Sequence, residues 1–87
     1  MKLTLNYAIL KFLTQKEHVS VNDIINSLYF EYNNHKSFKK HLISEILMAA
    51  KENGLISEDG YELINDELII YYSTDENQKK MINKYLG

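Results

Sequence analysis

Apolar positions in the first half of the chain recur at the three- and four-residue spacing of helices buried along one side. Leu5, Ala8, Ile9, Phe12 and Leu13 make the first stripe and predict a helix from about Thr4 to Thr14. Gln15-Lys16-Glu17 is polar and turn-like, and His18-Val19-Ser20 predicts a very short strand. Ser20 followed by Asp23 has the form of a capping box, with aspartate in the place of glutamate or glutamine. A second helix is therefore expected from Val21 to about Phe30, burying Ile24, Ile25, Leu28 and Tyr29. Glu31 to Lys36 links it to the next element, and Asn33-Asn34 suits a turn because asparagine tolerates positive φ.

The strongest pattern runs from Ser37 to Asn53. Phe38, Leu42, Ile46, Ala49 and Ala50 share one helical face, and Ile43 and Leu47 widen it. Ser37 is the expected N-cap, its hydroxyl taking a backbone N–H left unpaired in the first turn. Gly54 stands where a helix leaves through a left-handed residue. Lys39, Lys40 and His41 occupy the first turn, directly after His35 and Lys36. Cations there oppose the helix dipole, so the helix itself gains nothing from them. They point either to an external anion or to a solvated helix face.

Beyond Gly54 the period shortens. Leu55-Ile56-Ser57 reads as a first short strand, Asp59-Gly60 as a hairpin turn and Tyr61 to Ile64 as the return. Asn65-Asp66 turns again into Leu68-Ile69-Ile70-Tyr71-Tyr72, an apolar run expected to be covered on both sides. Tyr71 and Tyr72 adjoin, so one is expected in the core and the other partly exposed. A last helix opens at Ser73 or Thr74, where Asp75 and Glu76 suit its N-terminal dipole. It carries Met81, Ile82, Tyr85 and Leu86 on one side.

This order resembles a winged helix-turn-helix, and the similarity covers nearly the whole chain. It rests on Tyr7-Ala8-Ile9-Leu10-Lys11-Phe12-Leu13, on Ser20-Val21-Asn22-Asp23-Ile24-Ile25, and on Ala49-Ala50-Lys51-Glu52-Asn53-Gly54-Leu55-Ile56. The third of these segments, with the Ser73-Thr74-Asp75-Glu76-Asn77 helix start, is similar to small winged-helix proteins of bacteria and their phages and plasmids. The resemblance implies an α+β, mostly helical fold with a three-helix core, a short β-hairpin wing and a C-terminal helix. It also implies a transcription regulator or accessory factor that docks its third helix, about residues 37–53, in the major groove of double-stranded DNA. The implied DNA contacts are Asn34, His35, Lys36, Ser37, Lys39, Lys40, His41 and Ser44. Lysines and helix N-terminal N–H groups hold phosphates, while Asn and Ser read base edges. Dimerisation through terminal helices, common in the family, implies a homodimer joined by Met81, Ile82, Tyr85 and Leu86.

Composition adjusts this picture. The 87 residues allow one domain, spanning 1–87, with one modest core, and 45% hydrophobic with 25% charged residues is usual for a soluble globular protein. No apolar run approaches the roughly 18 residues of a membrane span. Met1 to Asn6 lacks a signal-peptide core, so a cytoplasmic location is expected. Absence of cysteine excludes disulfides, thiolate metal sites and a cysteine nucleophile. All 10 basic residues are lysine, which with abundant Asn, Ile and Tyr suggests a low-GC bacterial source.

The formal net charge of −2 hides an asymmetry. Lysines outnumber acids through Asn53, whereas Glu58, Asp59, Glu62, Asp66, Glu67, Asp75 and Glu76 dominate beyond Gly54. The acids of the hairpin depart from the family pattern because they repel phosphates. Either the third helix works without the wing, or Glu58, Asp59, Glu62, Asp66 and Glu67 face a basic protein partner. His41 and Glu45 lie four apart on a helix, but two ligands make no metal site. No nucleophile triad, phosphate-cradling glycine loop or catalytic carboxylate pair stands out, so neither a cofactor nor an enzymatic activity is expected.

Overall fold

The structure, a computed structural model, describes residues 3–86; Met1, Lys2, Gly87 and the side chain of Leu86 lie outside the described residues. The element order is α1 (Leu5–Gln15), α2 (Val21–Tyr32), α3 (Lys40–Glu52), β1 (Ser57–Ile64), β2 (Glu67–Ser73) and α4 (Glu76–Leu86). This is the expected winged-helix order.

α1 starts close to the expected position, with Thr4 as its N-cap, and Thr4 Oγ1 accepts the Tyr7 N–H at 3.5 Å. The capping box of α2 is complete. Ser20 Oγ accepts the Asp23 N–H at 3.3 Å, and Asp23 Oδ2 accepts the Ser20 N–H at 2.9 Å. α2 runs to Tyr32 instead of ending near Phe30. Ile24, Leu28 and Tyr32 fall four residues apart on the inner side, and the Tyr32 hydroxyl donates to the Leu3 carbonyl, which holds the extra turn in place. Tyr29, expected inside, falls off that stripe and is exposed, edge-on to Phe30 and Phe38.

The C-terminus of α3 closes as a Schellman motif. Gly54 adopts φ +77, its N–H donates to the Lys51 carbonyl, and the Leu55 N–H donates to the Ala50 carbonyl. That closure commits Leu55 and Ile56 to the core, so they cannot form the first strand expected from the sequence. The hairpin turn accordingly lies at Asn65-Asp66, where both residues have positive φ, +50 and +66, as a tight type I′ turn requires. Asp59-Gly60 forms a bulge instead. Glu58 pairs with Tyr72 and Tyr61 with Ile70, leaving Asp59 and Gly60 opposite Tyr71, with Gly60 at φ +99.

Tyr72 is buried and Tyr71 half-buried, as the alternation required. Coverage of β2 on both faces fails toward the turn, where Leu68 is exposed. On its other side β2 meets Val19 through two backbone bonds of 2.9 and 2.8 Å, the short strand foreseen there. Ser73 belongs to β2, and the Thr74 hydroxyl is buried, donating to the Leu13 carbonyl at 3.1 Å. α4 therefore starts later than expected, behind Asp75. Asp75 Oδ1 accepts the Gln78 N–H at 2.7 Å, and Gln78 Oε1 accepts the Asp75 N–H at 2.9 Å.

The core joins all four helices. Ile9 and Leu13 of α1, Ile24 of α2, Ile43 and Leu47 of α3, and Ile82 of α4 are fully buried together with Ile56. The inner stripe of α3 thus centres on Ile43, Leu47 and Ala50, while Leu42 and Ile46 are half-buried and Ala49 is exposed.

Candidate nucleic-acid interface

α3 begins at Lys40, two residues later than the Ser37 cap implies. Backbone turns take up the intervening residues. The His35 N–H donates to the Tyr32 carbonyl at 2.9 Å, Phe38 N–H to the His35 carbonyl at 3.0 Å, and Lys39 N–H to the Ser37 carbonyl at 2.8 Å. The Ser37 N–H donates to His35 Nδ1 at 3.1 Å, a bond that fits a ring carrying its proton on Nε2. Phe38 packs against the core and pins this turn. Lys39 becomes the N-cap residue, and no side chain caps the helix.

The result is an uncapped helix N-terminus with cations and no acid in its first turn. Asn34, His35, Lys36, Lys39, Lys40 and His41 are all exposed around it. Unpaired first-turn N–H groups and the positive end of the helix dipole add to the lysine charges, so the end of α3 favours an anion. Ser37 and Ser44 are only half-exposed. Ser37 borders a groove between α1 and α3, and Ser44 lies toward the wing beside Met48 and Leu68.

The outward face of α3 continues from His41 through Glu45 and Met48 to Glu52, all exposed. Of the two glutamates on it, Glu45 stood out in the sequence only as a neighbour of His41, and Glu52 was not singled out. They restrict any phosphate contact to the N-terminal end of the helix. His41 and Glu45 share this face, but among the described residues no group of three or more His, Asp or Glu side chains converges as a metal site.

The wing acids have partners within the chain. Lys40 pairs with Glu67, and Lys51 Nζ donates to Glu58 Oε1 at 2.6 Å, which holds the Lys51 ammonium above its usual pKa. The Tyr71 hydroxyl donates to Glu62 at 2.6 Å. Asp59, in the bulge, accepts from Ser73 Oγ at 2.8 Å and lies 3.2 Å from His18 Nδ1. His18, itself at φ +56, stacks on Tyr71 with ring centroids 3.9 Å apart. Asp66 stands in the exposed turn. These pairings were invisible in the sequence because the path of the hairpin, not local spacing, brings their members together.

The Ser73 hydroxyl first, and His18 second, hold the Asp59 carboxyl below its ordinary pKa of 3.8. A depressed carboxylate stabilises the fold above its unfolded pKa and loses that contribution as pH falls through the depressed value. An NMR acid titration is expected to show Asp59 titrating below 3.8, with the Ser73 and His18 amides shifting together with it. A midpoint above that value would show that the bulge cluster does not hold the carboxylate.

On α4, Ile82 is 1% exposed and belongs to the protein's own core, which removes it from any surface a second copy can reach. Met81 and Tyr85 remain exposed and, with Tyr7, Leu10 and Leu55, line a groove of about 430 Å³ between α1 and α4. The side chain of Leu86, assigned to the same surface from the sequence, lies outside the described residues. Among the described residues no helix is long and apolar enough to cross a membrane.

No protein-family model matches the sequence, and no curated protein matches it. Among solved structures the chain is similar to Bacillus subtilis PadR, solved in complex with operator DNA, at 24% identity and a TM-score of 0.72. The match covers 94% of this chain and 47% of the PadR chain, so this chain spans about half the length of that one. At this identity the likeness establishes the winged-helix fold.

Proposed function

We propose that this protein binds double-stranded DNA and acts there as a transcription regulator or accessory factor, without catalysis. One observation carries the reading: the exposed cations Lys36, Lys39 and Lys40 surround the uncapped start of α3. They do so in a fold that PadR brings to operator DNA. The start of α3 enters the major groove, Lys36 and Lys39 take phosphates, and Asn34, His35 and His41 reach toward base edges. The wing, whose strands contain no lysine, adds no phosphate contact of its own. A cytoplasmic location accompanies this role.

A homodimer joined through Met81 and Tyr85, with Tyr7 alongside, would present two copies of α3 to two half-sites. The competing role, a module that binds a basic protein through the acidic hairpin and touches no DNA, has less support. Glu58, Asp59, Glu62 and Glu67 already serve groups of this chain.

Fluorescence anisotropy with duplex DNA of mixed sequence, across a salt series, tests the proposal. Log affinity is expected to fall linearly with log salt, with sedimentation of the same samples reporting two protomers. A folded protein that leaves duplex DNA unbound at low salt removes the reading, and a monomer at every concentration removes the dimer.

A further inference from the structure

We infer that the wing is an intramolecular competitor for DNA: Glu67 neutralises the Lys40 ammonium, and a phosphate that approaches that cation competes with the carboxylate for it. The inference rests on the DNA-binding reading and concerns the same site.

The geometry is specific to the two ends of α3. Lys40 is its first residue and pairs with Glu67 at the start of β2, next to the hairpin turn. Lys51, in its last turn, pairs with Glu58 near the base of β1. These bridges run from both ends of the helix to both ends of the hairpin, so the wing lies alongside α3 with an acid presented to each lysine. Carboxylate and phosphate are equivalent ligands for an ammonium, since each offers anionic oxygen acceptors at the same reach. Both members of the Lys40–Glu67 pair are half-exposed, and such a pair is weak enough to exchange with an incoming anion.

A hairpin with no cation in either strand therefore still influences DNA affinity, through the lysine it holds. The competition has a distinctive salt signature. Added salt weakens both the phosphate contact and the internal pair, so release of Lys40 partly offsets the loss of DNA affinity. Removing the Glu67 charge should abolish that offset and steepen the salt slope.

The test compares Glu67→Gln with Asp66→Asn on duplex DNA by anisotropy. The two variants remove the same charge from adjacent residues, and asparagine suits the left-handed backbone of position 66. Long-range repulsion changes alike in both, so any excess in Glu67→Gln reports the release of Lys40. The expected excess is a tightening of about twofold to fivefold at low salt, with a log–log slope steeper by about one. Lys40→Ala should cost more affinity in the Glu67→Gln background than in the wild type.

Equal tightening by the two variants, or an equal cost of Lys40→Ala in both backgrounds, overturns the competitor while leaving DNA binding intact. Failure of all three proteins to bind duplex DNA at low salt overturns the inference together with the reading beneath it.

Discussion

Lys36→Glu combined with Lys39→Glu is expected to lower duplex DNA affinity about a hundredfold at about 0.1 M salt and to flatten the salt slope by about two. Both side chains are exposed at the start of α3, so each substitution exchanges a phosphate ligand for a phosphate repellent without touching the core. The double variant should nevertheless be slightly more stable than the wild type. Acid near the uncapped helix start complements the dipole, and each such charge contributes about 0.3–1 kcal/mol. Affinity down with stability up is a signature that general damage cannot imitate. Thermal denaturation followed by circular dichroism supplies the second half of the measurement. Unchanged affinity would remove the start of α3 from the interface.

The second large effect lies inside. Leu47→Ala is expected to cost about 2–5 kcal/mol, because Leu47 is fully buried where α3 meets the core. A chain of this size has only about 5–15 kcal/mol to lose, so the melting temperature should fall by roughly 10 °C or more. Ala49→Ser on the same helix provides the contrast. Ala49 is exposed, and its replacement should change stability by no more than about 0.5 kcal/mol. Similar losses at both positions would mean that α3 packs in a different rotation, with Ala49 inward as its sequence pattern first suggested.

That ambiguity shows which parts of the fold were legible in the sequence. Short-range signals identified the structure wherever they acted alone. The capping box at Ser20 and Asp23, the left-handed exit at Gly54 and the alternation at Tyr71 and Tyr72 all appear as read. Competing local signals were decided by distant partners. Asp59-Gly60 and Asn65-Asp66 are both plausible turns, and the second prevails because the core claims Leu55 and Ile56. Ser37 is a sound cap by type, yet burial of Phe38 and the turn around His35 place the helix start at Lys40.

The same division applies to the candidate site. The cation cluster was visible as a run of residue types, and the structure places it at a helix end. Its electrostatic counterweight was not. Lys40 and Glu67 are brought together only by the path of the hairpin, and no periodicity of either segment encodes that meeting. Ile82 shows the opposite limit. An amphipathic stripe on α4 identified an apolar side but could not divide it between the protein's own core and an open groove.

The two backbone bonds between Val19 and Tyr72 anchor the base of the hairpin and leave its tip to a separate local equilibrium. Below the bulge, β2 is tied to the α1–α2 connection, and Thr74 just beyond it is tied to α1, so this half opens only when the helices themselves separate. Above the bulge, Tyr61 to Leu68 are exposed and lack those ties, so the tip can fray and re-form while the body stays folded. Glu67 lies in that tip. Release of Lys40 is therefore expected to accompany local opening of the tip, which costs far less free energy than global unfolding.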